Sequence, residues 1–333
     1  MFQSTLKSIL LRLASTRLSV LGFCLLGVGL PIHHTWQWAA PWAILIPILL
    51  LVVNLAISLL VDPRFRCRPA LFGFHLCLLL VVILAGWGEL SHLHARISVI
   101  EGQRFDPAEL EITSQGILAP ARERLSGIAQ GPLSVEYAPG LNRKNTRSEL
   151  HSAETGWLVV GDDIPFTRDG FRFYTTPNKG FAAVLSWLPD RGVAEAGAIH
   201  FPSFPARQIM QSVDWRSPSE EMIQFVLRPP LVDMELPWVL ARSSAADVSM
   251  VVETADGQAL LHIGQEVVVN GGRLRLDSVA LWMGYRVSYN PALPWLLSSA
   301  LLAVLFMAMH FISGLKHQES KLHVDRNEEA PCQ

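Results

Sequence analysis

Residues 66–105 read RCRPALFGFHLCLLLVVILAGWGELSHLHARISVIEGQRF. Arginines at positions 66 and 68 precede an apolar run from Pro69 to about Gly88, and a strand-like segment ending at Glu101-Gly102-Gln103 follows. A helix crosses a bilayer when about 20 consecutive residues are mostly apolar. This stretch therefore predicts a basic loop, a membrane span and an exit into β structure on the far side.

The same length criterion picks out three more spans. They cover residues 18–34, 41–61 and 292–315, and together with 69–88 they make four. The first could be a signal peptide. However, no A-x-A cleavage pattern follows it and a second span comes directly after, so it reads as a retained anchor. The expected organisation is residues 1–91 for a tail and three spans, 92–291 for a large domain, 292–315 for the fourth span and 316–333 for a second tail.

Composition agrees. Of 333 residues, 50% are hydrophobic and 17% charged, against roughly 25% charged in soluble domains. The net charge is -2, which leaves no basic field for nucleic acid.

Lys and Arg near span ends set orientation. Lys7, Arg12 and Arg17 precede span one, and Arg64, Arg66 and Arg68 fill the loop between spans two and three. Lys316, Lys321 and Arg326 follow span four, diluted by acids. With four spans these segments share one side, expected to be the cytoplasm, with both termini there. Residues 33–40 and the large domain then lie outside. Trp36, Trp38, Trp42, Trp87 and Trp295 fall at the outer interface, where indole is favoured.

Residues 92–291 hold 18 Lys and Arg against 23 Asp and Glu, a balance of -5, and no cysteine. The domain is not suited to lying flat on anionic lipid and has no thiol for exchange or a disulfide. Its short apolar runs (GWLVVGDDI, FRFYTT, GFAAVLSWLP, EMIQFVLRPP, EVVVNGGRLRLDSVALW, GYRVSYNP), broken by turn signals, predict a β-rich, sandwich-like domain or paired antiparallel sheets. Asp256-Gly257 and Asn270-Gly271-Gly272 read as hairpin turns. The polar stretch Arg122–Thr155 reads as a loop.

Enzyme signatures are missing. No CxxC, CxxCH, phosphate loop, HExxH or GxSxG occurs. Among eleven histidines, His92-x-His94 has only two candidate metal ligands. His75 and His310 stand apart because each lies inside a predicted span, where ionisable side chains are costly and face a partner, cavity or cofactor. Counting from Arg68 and Lys316 places them roughly 10 and 9 Å deep from the same side. Imidazole ligates haem iron. The alternative for His75 is a single hydrogen bond in helix packing, and His310 is near enough to the edge to snorkel. Cys77 sits two residues from His75, on another helix face.

The block of residues 66–105 resembles the ResB family of System II cytochrome c biogenesis proteins. The likeness rests on the basic loop, Phe74-His75-Leu76 in span three and the strand ending Glu101-Gly102-Gln103. The plan of three spans, an external β-rich domain and a last span matches too. The family's Asp-Pro-Gly-like junction is here Asn290-Pro291-Ala292.

The resemblance implies a subunit in a bacterial cytoplasmic membrane that is not catalytic alone. It would pair with a CcsA/ResC-type membrane protein bearing the Trp-rich WWD motif, in a complex that ligates haem to apocytochrome c. Haem b would be held transiently and shared with the partner, with His75 as one axial ligand and the second from the partner. A thioredoxin-like protein would supply thiol reduction. Two other readings remain open at this point: a b-type haem electron-transfer subunit using His75 and His310, and a non-haem scaffold or sensor.

Overall fold

The structure is a computed structural model that describes residues 10, 12–35, 41–154, 156–255 and 257–328, without side chains at 64, 66 and 316–328. It divides into two units: residues 1–93, 114–119 and 290–333, and residues 94–113 and 120–289.

The first unit is helical. Helices α1 (Thr16–Thr35), α2 (Pro41–Val61) and α4 (Pro69–Ser91) are each long and apolar enough to cross a membrane. So is the segment Leu293–Leu315 of α5 (Leu293–Glu328). The short helix α3 (Pro63–Cys67) joins α2 to α4. The chain is thus a multi-pass membrane protein. Pro69 starts α4 in the first turn, where a missing N–H costs no hydrogen bond. Trp42, Trp87 and Trp295 are exposed near helix ends, and Trp36 and Trp38 lie outside the described residues.

Small residues let these helices approach closely. A Cβ on Gly22 would come within 2.7 Å of Leu51, and Gly29 lies against the Ala43 carbonyl. On α4, a Cβ on Gly73 would sit 2.7 Å from the Phe306 ring of α5. Asn54 in α2 is buried. Its amide donates to the carbonyls of Leu13 at 2.5 Å and Ser15 at 3.0 Å, and its oxygen accepts from Ser19 at 2.6 Å. This polar clamp ties the start of α1 to α2. A single Asn in an apolar run does not announce it.

The second unit is built from antiparallel sheets. Its spine is the pair β7 (Phe171–Pro189) and β15 (Gly272–Tyr289). The sequence breaks each into two runs; the structure joins them. Thr176-Pro177-Asn178 bulge out opposite Gly284, and Thr176 Oγ1 donates to the Gly284 carbonyl at 2.8 Å. A bulge tolerates the proline that a regular ladder would reject. Strands β1 (Leu93–Ile100), β2 (Glu111–Gln115), β6 (Phe166–Arg168), β8 (Glu195–His200) and β14 (Glu266–Val269) complete a seven-stranded sheet.

Two four-stranded sheets accompany it. One orders β13 (Gly257–Leu261), β12 (Ser249–Thr254), β10 (Met222–Arg228) and β9 (Ser212–Arg216). The other orders β11 (Trp238–Leu240), β3 (Ile128–Ala138), β4 (Asn142–Ser152) and β5 (Gly156–Gly161). Both expected hairpins form: Thr254 pairs with Gly257, and Val269 with Gly272 across Gly271 at φ +83°. Asp256 itself lies outside the described residues.

The expected loop at 122–155 is instead the β3–β4 pair. Its inward positions Thr146, Ser148, Leu150 and Ser152 are buried while Arg147 faces out. The alternation that makes a strand is present, but small hydroxyls replace apolar residues on the inner face. Ser148 belongs to a closed ring of bonds. Gln130 Nε2 donates to Ser148 Oγ at 2.8 Å, Tyr285 donates to Gln130 Oε1 at 2.6 Å, and the two hydroxyls meet at 2.5 Å. Phe105 packs on the Tyr285 ring, and Phe173 and Phe166 extend the cluster, each buried and contributing about 1.5–3 kcal/mol.

Candidate functional site

His75 sits in the second turn of α4. Its Nδ1 lies 2.9 Å from the Leu71 carbonyl oxygen, one turn back. That carbonyl accepts, so Nδ1 carries the proton and Nε2 keeps its lone pair. Among the described residues Nε2 has no hydrogen-bond partner. The ring is flanked by Phe65 from α3, centroids 4.7 Å apart, and by Phe74 at 5.1 Å, both edge-on.

Nearby, α4 and α5 form an open apolar groove of about 480 Å³ lined by Phe74, Leu78, Val81, Ala303, Met307 and Phe311, among others. Phe74 thus touches both the groove and the His75 ring. Neither His75 nor His310 lines that groove.

The two histidines occupy different faces. At about 100° per residue, His75 is turned about 160° from Gly73, which packs on Phe306 of α5. It shares a face with Gly86, whose Cβ would approach Ile48 of α2 at 3.2 Å. His310 lies about 40° round α5 from Phe306, with Phe311 as its ring neighbour at 6.0 Å. This arrangement does not bring His75 and His310 together as an intramolecular pair.

The donor set fits one haem axial position. Iron-ligating imidazoles bind through one nitrogen while the other donates to a carbonyl or carboxylate, which fixes tautomer and ring orientation. His75 meets that requirement with Leu71. Cys77 is buried on the Gly73 side of the helix, turned away from His75.

At the opposite end of α4, His33 and His34 belong to the last turn of α1, within the span expected at 18–34. The apolar run carries the helix through to Thr35. His33 Nε2 lies 3.3 Å from Glu89. His92 has both nitrogens occupied, by the Glu89 carbonyl and Ser114 Oγ, each at 2.8 Å. His92 is buried while His94 is exposed. No group of three or more metal-ligand side chains occurs among the described residues.

In the β-rich unit, two groups were not evident from sequence. Glu101 is buried with no hydrogen bond to either carboxylate oxygen, and Arg242 stands 3.4 Å away. Burial pushes its pKa above the usual carboxylate value, and Arg242 pulls the other way. Lys179 is buried beside Tyr137, with the ammonium 5.6 Å from the ring centroid. Long-range pairing creates both, so no local signal could have marked them.

No family model matches the chain, and no curated protein matches it either.

Proposed function

We propose that this chain is the ResB-type membrane subunit of a System II cytochrome c biogenesis complex, helping carry haem across a bacterial cytoplasmic membrane. The observation that carries the reading is His75: an imidazole within a membrane-spanning helix, its Nδ1 fixed by Leu71 and its Nε2 free among the described residues. The four apolar helices and the cysteine-free β-rich unit agree with the family's plan.

In this reading the basic segments and both termini face the cytoplasm, and the β-rich unit faces outward. When bound, haem b supplies the vinyl groups that apocytochrome thiols attack. The chain's own residues hold and orient. Leu71 fixes the His75 tautomer, while Phe65 and Phe74 fix the ring plane and exclude water. The wall between α4 and α5 is apolar, with the Met307 thioether as its one polarizable group among the lining residues. The β-rich unit keeps a CcsA/ResC-type WWD partner and apocytochrome c near one another, raising their effective concentration. A separate thioredoxin-like protein reduces thiols, and the chain does no ligation alone.

The test is a visible spectrum and haem stain of the detergent-purified chain, expressed with and without a CcsA-type partner. A b-type haem that appears with the partner and is lost in His75→Ala is expected. Haem content and cytochrome c maturation unchanged in His75→Ala would overturn the reading.

A further inference from the structure

Three strands of the second unit place an unusual row of side chains together. Tyr137 on β3 pairs across strands with Arg143 on β4 and with Trp238 on β11. Directly paired residues share a face, so phenol, guanidinium and indole stand side by side. The Trp238 ring stacks on Tyr137, centroids 5.6 Å apart at 29°, and is held edge-on by Phe204 at 5.6 Å. Lys179 follows the bulge in β7 and lays its ammonium over the same Tyr137 ring.

Burial makes this row more than a surface patch. Lys179 is 2% exposed and Tyr137 7%. Among the described residues neither the ammonium nor the phenol hydroxyl has a hydrogen-bond or ion-pair partner. Each tip nevertheless keeps a trace of accessible surface. Side by side and almost wholly closed to water, these two donors are placed to take one acceptor from outside the chain.

The geometry points to a receptor for a single carboxylate carried on an apolar or aromatic body, formed by Lys179, Tyr137 and Arg143 with Trp238 as its wall. Both Lys179 and Tyr137 can donate to it, and an acceptor-only group satisfies them together. Charge selects a monoanion. The charged groups there are Lys179, Arg143 and Asp162, the last held by Arg143 at 3.3 Å. Their sum is +1, which suits a carboxylate better than a dianionic phosphate. Burial, helped by Arg143 and opposed by Asp162, holds Lys179 at about 8, so an arriving carboxylate would restore its full charge. The site is independent of His75 and of the haem reading.

The experiment is trace acetylation of the full chain in detergent with acetic anhydride at pH 7.5, read by peptide mass spectrometry. Lys144, exposed on β4, is the internal reference. Benzoate, benzamide, hemin and hemin dimethyl ester are the probes. Benzoate or hemin should lower Lys179 labelling at least fivefold relative to Lys144, and benzamide and the diester should not. Arg143→Gln should raise the concentration needed about tenfold. Protection by hemin identifies a porphyrin propionate as an acceptable source, and protection by benzoate alone identifies another carboxylate. Equal protection by hemin and its diester would overturn the proposal, as would no protection at all. So would a Lys179 that never labels, because a tip closed to acetic anhydride is closed to benzoate.

Discussion

Nδ1 of His75 and the carbonyl oxygen of Leu71 lie 2.9 Å apart within one turn of the same membrane-spanning helix. The bond settles a tautomer. It leaves Nε2 as the one basic atom the imidazole can offer outward, and it does so without a carboxylate that would need burying in lipid. A helix interior supplies such a carbonyl only when the side chain folds back on its own turn, and Phe65 and Phe74 hold it there.

The first prediction follows from that free nitrogen. If His75 contributes only a ligand atom, a small diffusible imidazole can replace it. His75→Gly in the co-expressed complex should lose most of its Soret absorbance, and millimolar imidazole should restore part of it. His310→Ala should leave the spectrum unchanged. Equal loss in both variants would favour the paired-ligand arrangement that the helix faces argue against.

A second prediction concerns the α4–α5 contact. Gly73 leaves room for Phe306, and any Cβ at that position would overlap the ring. Gly73→Leu should lower stability by about 1–3 kcal/mol through overpacking. Phe306→Ala should recover part of the loss in the double variant, because the clash is pairwise. Thermal melts of the detergent-solubilised chain give the comparison.

How much of this was legible beforehand depends on which property made each element. The four spans needed only unbroken apolar length, and they were readable to within a few residues. The hairpins at Gly257 and Gly271 were marked by turn chemistry. The β3–β4 pair was not, because its inner face carries Thr146, Ser148 and Ser152, and a polarity-based reading counts these as loop. Strands β7 and β15 looked broken because Pro177 and Gly284 normally end strands, whereas here they face each other across a bulge. His75 stood out as an ionisable residue in a span. Its Leu71 bond and Phe65 contact were not legible, since they depend on rotamer and on the fold of α3. The Lys179–Tyr137 row joins three strands and could only emerge from tertiary pairing.

The buried ring of Gln130, Ser148 and Tyr285 yields a third prediction. Tyr285 is fully buried, and burial pushes its hydroxyl above the usual range despite the bonds from Ser148 and Gln130. It therefore stays protonated and donating across all ordinary pH. Tyr285→Phe removes one oxygen and leaves Gln130 Oε1 without its donor, at a cost of about 1–3 kcal/mol. Ser148→Ala in that background should add less than it does alone. Denaturant unfolding followed by tryptophan fluorescence measures the coupling.

Glu101 and Arg242 give the last. The carboxylate is buried, its side chain 4% exposed, with an ion-pair contact at 3.4 Å and no hydrogen bond. Arg242 is 82% exposed, so water screens most of what it offers. Burial therefore dominates and raises the folded-state pKa above the usual 4.5. The sign follows from proton binding. Between the unfolded and folded pKa values the folded chain binds more protons than the unfolded one, so stability falls as pH rises through that window and then levels. Glu101→Gln, which carries no charge, escapes that fall. It should match the parent well below pH 4.5 and exceed it at pH 7 by about 1 kcal/mol. Arg242→Ala should destabilise the parent at pH 7 and do little in the Glu101→Gln background. Melts of the four chains at pH 4 and pH 7 decide it: a Glu101→Gln variant less stable than the parent at pH 7 would show that the carboxylate is well solvated or paired after all.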